Sequence, residues 1–371
     1  MPPPAAPTPP TPTPRAGASG LATAEFDYEL PDAAIGQIPA EPRDSARLLV
    51  DRGPGAEPWH RTVADLADLL EPGDLVVVND TRVLPARLHL RKSTGGAIEV
   101  LLLEPTGRPH EWQALVRPGK RLRVGTELFL PDSTESDPND AQPVAAVVGE
   151  LPDGRRLVQI LVDDLLTTSG EVPLPPYITE PLADPERYQT VFAREPGSVA
   201  APTAGLHLTD AVFAGLAERG IEVARIELRV GLGTFRPVAA ENVDDHVMHR
   251  ETYRIEPDTW QRIRQAKRVV AIGTTVVRTL ESAAALGQLE GGTELFIRRG
   301  FRWQVVDVLL TNFHVPRSSL LVLVDAFVGR RWKDLYAHAL ADGFRFLSFG
   351  DAMLLQRDPA RYPPLTKRAL D

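Results

Sequence analysis

Two different hydrophobic patterns occupy different stretches of this chain, and each calls for its own architecture. Between Leu75 and Val162 the apolar residues come in short, alternating or β-branched runs: Leu75–Val78, Val83–Leu90, Ile98–Leu103, Trp112–Val116, Glu127–Leu130, Val144–Val148 and Leu157–Val162. Gly, Pro and Asp separate them and no helical period intervenes, which predicts hairpin-connected antiparallel strands. The span 72–164 therefore reads as an all-β unit, a small antiparallel barrel or sandwich. Further on, a strand is followed by a turn rich in Gly, Thr, Asn or His, and then by an amphipathic helix. Strands are expected at Ile221–Val230, Arg268–Ile272, Gln304–Leu310 and Phe344–Phe349, and helices at Val276–Leu286 and Ser318–Val328. Repeated strand-turn-helix units imply a largely parallel sheet that binds ligands outside the carboxyl ends of its strands.

At 371 residues the chain fits about two domains. The expected division is a proline-rich tail at 1–25, with eight prolines in its first fourteen positions, an α/β domain from 26–71 and 165–371, and the inserted all-β unit. Apolar content of 43% with 25% charged residues supports buried cores. No run of about 18 apolar residues marks a membrane span, and the tail lacks a signal peptide's apolar region, so a cytoplasmic protein is expected. With no cysteine, disulfides, thiolate metal sites and a cysteine nucleophile are excluded. A net charge of −9 argues against a broad nucleic-acid-coating surface. It leaves room for a local basic patch within Arg43–Arg123, where a solvated face is the plainer account.

The stretch Ser198–His207 combines Ala200, Ala201, Ala204 and Gly205 with one proline and one histidine, a composition suited to neither helix nor strand. Small residues there permit close approach, either of a ligand or of another protein segment. The expected strand ends carry His314, Phe313 and several threonines, which turn chemistry alone does not require. Gly273-Thr274-Thr275 opens a helix, and such an N-terminus suits a carboxylate or phosphate as well as simple capping. Arg278 and Glu281 are one turn apart, spaced either to pair or to reach a zwitterion. Asp245-His246-Val247-Met248-His249-Arg250-Glu251 offers imidazoles and carboxylates for acid–base work by His249, His207 or His314. A zinc site from His246, His249 and Glu251 with His207 or His314 is the alternative, without a diagnostic spacing. No Walker loop is present, Gly231-Leu232-Gly233 lacks the third glycine of a dinucleotide fingerprint, and no serine has a nucleophile-elbow context. The residues alone imply an enzyme with a polar, histidine-bearing cleft.

Several of these stretches resemble the S-adenosylmethionine:tRNA ribosyltransferase-isomerase family. The resemblance runs over about residues 26–355, through Phe26-Asp27-Tyr28-Glu29-Leu30-Pro31, Val78-Asn79-Asp80-Thr81-Arg82-Val83, the Ala-Ala-Pro-Thr-Ala-Gly-Leu-His run, His246-Val247-Met248-His249-Arg250-Glu251, Gly273-Thr274-Thr275 and Leu310-Thr311-Asn312-Phe313-His314. It implies an α/β fold, a barrel-like, mostly parallel βα domain interrupted by an inserted antiparallel β-barrel domain. The implied reaction moves the ribosyl part of S-adenosylmethionine to 7-aminomethyl-7-deazaguanine at the tRNA wobble position, giving epoxyqueuosine and releasing adenine and methionine. His207, His249 and His314 are then the acid–base residues, oriented by Asp245 and Glu251. Thr203, Gly205, Gly231, Gly233, Thr234, Gly273, Thr274, Thr275 and Asn312 would shape the co-substrate pocket. Arg82, Arg87 and Lys120 would meet tRNA phosphates, with the enzyme working as a monomer. One departure is Arg229, where the family has histidine; arginine cannot act as a neutral base. That change leaves two other readings open, ribosyl transfer to a free small molecule and a non-catalytic tRNA or nucleoside binder.

Overall fold

The computed structural model describes residues 20–119, 122–131, 142–231 and 238–357. Among them, nine strands form one mixed sheet in the order Glu290–Thr293, Glu251–Arg254, Glu222–Arg229, Asp74–Asn79, Arg268–Ile272, Val308–Asn312, Ala352–Gln356, Arg47–Val50, Trp59–Thr62. The four strands from Glu222–Arg229 to Val308–Asn312 pair in parallel. Antiparallel pairings lie outside them, apart from the parallel pair formed by Ala352–Gln356 and Arg47–Val50.

The middle strands are buried along their whole length, Asp74–Asn79 and Val308–Asn312 at every position. Such strands need helices on both faces. Strand alternation sends Leu75 and Val77 into one core and Val76 and Val78 into the other. Helices Thr274–Leu286, Ser319–Val328 and Trp332–Ala341 cover the first face, and Asp210–Glu218 with Leu66–Leu69 covers the second.

The inserted unit is a closed antiparallel barrel. Its strands run Arg87–Lys92, Ala97–Pro105, Glu111–Arg117, Arg156–Ile160, Ala145–Glu150 and Glu127–Phe129, and the last pairs back to the first. Closure leaves no free edge in this ring. Leu88, Leu90, Ile98, Val100, Leu102, Val147 and Val158 fill it as a core of its own.

Several expectations are revised. Leu75–Val78, expected in the all-β unit, lies at the centre of the nine-stranded sheet, because a valine run buried on both faces suits a parallel interior. Val83–Leu90 is broken at Pro85: Thr81–Val83 pairs with Glu195–Ser198, and the barrel begins at Arg87. Phe344–Phe349 is not a strand. Phe344, Phe346 and Phe349 are buried in a turn where Leu347 has φ 69°, and the strand follows at Ala352–Gln356. The tail is also shorter than 1–25, since Leu21 and Thr23 are buried and Thr23 Oγ1 donates to Ala240 O at 2.7 Å.

Candidate functional site

All four central strands end at one edge of the sheet, and the ends of three of them help to line two adjoining clefts. The larger encloses about 390 Å³ and is lined by Thr203, Gly273, Thr274, Thr275, Thr311, Asn312 and His314. The second, of about 300 Å³, is lined by His246, His249, Glu251 and Arg278, and Leu320 walls both. Gly273 turns strand Arg268–Ile272 into helix Thr274–Leu286 with φ 90°, a conformation that favours glycine. Ser318 caps helix Ser319–Val328 by accepting the Leu321 N–H, which sets Leu320 against the clefts.

Asn312, the last residue of its strand, organises the larger cleft. Its Oδ1 accepts from Thr203 Oγ1 at 3.0 Å, and its Nδ2 donates to Leu347 O at 3.2 Å and lies 3.0 Å from His207 Nε2. Because that amide nitrogen also faces the carbonyl of Asp351, it is the donor. His207 Nε2 is therefore an acceptor, and its ring is neutral. Burial, with Arg345 and Arg43 adding to it, holds its pKa down at about 4. His314 Nε2 lies 2.9 Å from Thr311 Oγ1. Two tyrosines clamp its backbone: the Tyr28 hydroxyl donates to His314 O at 2.6 Å, and the His314 N–H donates to the Tyr336 hydroxyl oxygen at 2.9 Å. Burial pushes the His314 pKa down to about 3, so this imidazole is neutral too.

In the second cleft Glu251 pairs with Arg278, and both are buried. Glu251 Oε1 also accepts the Gly231 N–H at 3.2 Å, tying two strand ends together. Arg278 does not pair with Glu281. Glu281 instead accepts the N–H groups of Gln304, Val305 and Val306 at 2.9–3.0 Å, fixing the chain before strand Val308–Asn312. The Arg278–Glu251 pair spans 27 positions, and nothing in the local sequence signals it.

The expected residues thus divide. Thr203, Gly273, Thr274, Thr275, Asn312 and His314 share the larger cleft, and His249 and Glu251 share its neighbour. His207 stands behind Asn312 and faces a third space of about 230 Å³ with Arg43 and Arg187. Asp245 is exposed and lines none of the three. Gly205 is small for packing: a Cβ there would lie 2.9 Å from the Phe192 ring and 3.0 Å from Thr190. Gly233, Thr234 and Lys120 lie outside the described residues. Arg82 pairs with Glu186, and Arg87 stands at the start of the barrel.

Among the described residues, His207, His246, His249, Glu251 and His314 do not converge as a metal-ligand set. His60, His338 and Asp342 do have such spacing, and they line neither cleft. The side chain of Arg229 is about half exposed, pairs with Glu227 at 2.8 Å and lines neither cleft.

Comparison with known proteins agrees with this arrangement. A family model described as a queuosine biosynthesis protein matches residues 23–355. A protein of Moorella thermoacetica named S-adenosylmethionine:tRNA ribosyltransferase-isomerase is 51% identical over 346 residues, covering 89% of this chain and 98% of that relative. One of the same name from Rubrobacter xylanophilus is 49% identical, covering 90% and 98%. The crystal structure of an S-adenosylmethionine tRNA ribosyltransferase from Thermotoga maritima matches at 36% identity and a TM-score of 0.51, covering 89% of this chain and 99% of that one. With a family model matched along nearly all its described length and relatives near half identity, this chain belongs to the queuosine biosynthesis protein family.

Proposed function

We propose that this protein is an S-adenosylmethionine:tRNA ribosyltransferase-isomerase. It moves the ribosyl part of S-adenosylmethionine to the aminomethyl group of 7-aminomethyl-7-deazaguanine in tRNA, forming epoxyqueuosine and releasing adenine and methionine. The observation that carries this reading is the pair of adjoining clefts at the carboxyl ends of the parallel strands, built from the very stretches that match the family.

The chemistry needs a base for the acidic proton beside the sulfonium, a proton for departing adenine, and polar groups around an opening ribose. Thr203, Thr311 and Asn312 supply uncharged donors and acceptors in the larger cleft. His207 and His314 act as neutral groups, the first orienting Asn312 and the second facing the cleft beside Thr311. His249, exposed at the second cleft, is the proton carrier of the set. Arg82 and Arg87 contact tRNA phosphate in this reading, and the reaction takes place in the cytoplasm. The Arg229 side chain, which lines neither cleft, adds no support to the other two readings, a free acceptor or a non-catalytic binder.

The test is release of adenine and methionine from S-adenosylmethionine by the purified protein, with tRNA carrying 7-aminomethyl-7-deazaguanine and with the free base. Nucleoside mass analysis follows. Release that requires the tRNA and yields epoxyqueuosine is the expected result. No release with either acceptor overturns the reading.

A further inference from the structure

Helix Thr274–Leu286 begins at the boundary of the two clefts, and three features at this end have bonding capacity that the protein leaves unused. The backbone N–H groups of its first turn carry the positive end of a 13-residue helix. Thr275 is 9% exposed, lines the larger cleft, and its Oγ1 has no hydrogen-bond partner. Arg278, 6% exposed, lines the second cleft. Its Nε donates to Leu295 O at 3.2 Å and one terminal nitrogen pairs with Glu251, while the other, NH2, has no partner. Residues three apart lie on one face of a helix, so Thr275 and Arg278 stand side by side where the two clefts adjoin. Leaving such buried groups unpaired is costly, and a ligand that engages both offsets that cost.

The charges narrow the ligand class. Arg278 and Glu251 neutralise each other, so a bare anion would gain from Arg278 and lose to Glu251. An α-amino acid head group brings its own ammonium along with its carboxylate. A carboxylate offers about four acceptor sites, so Glu251 can take that ammonium in addition to its present bonds, those to Arg278 and Gly231 among them. We infer that the first turn of this helix, with Thr275 and Arg278, binds the carboxylate of a zwitterionic α-amino acid head group, and that Glu251 takes its ammonium. This assignment rests on the function proposed above, in which the methionine portion of S-adenosylmethionine is that head group.

Calorimetric titration of the full protein tests it with three probes: S-adenosylmethionine, its decarboxylated analogue, and 5′-methylthioadenosine, which lacks the whole head. Wild type is expected to bind the decarboxylated analogue at least about tenfold more weakly than S-adenosylmethionine, the scale of one charge-assisted contact. Thr275→Val narrows that ratio several-fold without weakening 5′-methylthioadenosine, and Thr275→Ser restores it. Equal affinity of wild type for the first two probes overturns the inference. So does a Thr275→Val variant that weakens all three probes alike, or a Thr275→Ser variant that behaves like the valine. Wild type that binds none of the three overturns the proposed function itself, and the subsite with it.

Discussion

At the residue scale, burial decides what each histidine can do. His207 and His314 have folded-state pKa values of about 4 and about 3, well below the ordinary value of 6.5. Because the unfolded chain binds these protons first, their contribution to stability is intact above about pH 6.5 and is lost as pH falls toward the folded values. The expected slope is about 1.4 kcal/mol per pH unit for each histidine in that window. Denaturant unfolding at pH 7 and pH 5 checks this: His207→Gln should lose less stability on acidification than wild type. Asn312 is the other critical residue. Asn312→Ala removes the side chain that joins Thr203, His207 and the carbonyls of Leu347 and Asp351, stranding buried groups at about 1–3 kcal/mol each. A lower melting temperature and a fall of about 100-fold in kcat/KM are expected. Activity close to wild type would remove Asn312 from the site.

Helix Thr274–Leu286 is the element that connects fold and site. Its first turn faces the clefts, Arg278 in its second turn reaches Glu251 on a strand, and Glu281 in its third holds the segment before strand Val308–Asn312. The strand that carries Thr311 and Asn312 is thereby positioned by a carboxylate outside the cleft. Glu281→Leu leaves three N–H groups without their acceptor, with an expected cost of about 3 kcal/mol or more. Calorimetric melting should show a large drop, and the added S-adenosylmethionine needed for half-saturation should rise. A second element-scale test is Ser318→Ala, which removes the cap of helix Ser319–Val328 at an expected cost of about 1 kcal/mol. If both variants melt like wild type, the site does not depend on these anchors.

For the whole molecule, the issue is how a chain of net charge −9 grips a polyanion. The expectation is local contact. Arg87→Ala should lower tRNA affinity at every salt concentration and reduce the salt slope by about one. Arg82 is already paired with Glu186, so Arg82→Ala should move the slope less. Filter binding from 50 to 200 mM salt distinguishes the two. Slopes unchanged in both variants would show that these arginines belong to a solvated face.

Much of the architecture was legible because hydrophobic period is a local property. Alternating runs separated by turn residues marked the barrel strands, and strand-turn-helix repeats marked the parallel sheet with threonine, asparagine and histidine at its edge. The same locality explains the misplacements. A valine run reads as a strand wherever it goes, and only packing put Asp74–Asn79 between two parallel neighbours. Phe344 and Phe346 alternate like a strand, yet with Phe349 they make three rings buried around a left-handed leucine in a turn. At the site, the residue types were written in the sequence, but their protonation and partners were not. Desolvation of His207 and His314, the meeting of Arg278 with Glu251, and the packing of Gly205 on Phe192 each depend on contacts beyond sequence neighbours. The sequence by itself determined most of the elements and the residue types that its strand ends present, since both follow from neighbours in the chain. Tertiary structure alone decided which groups are neutral, which are paired and which are left facing the cleft, because burial and contact are properties of the folded whole.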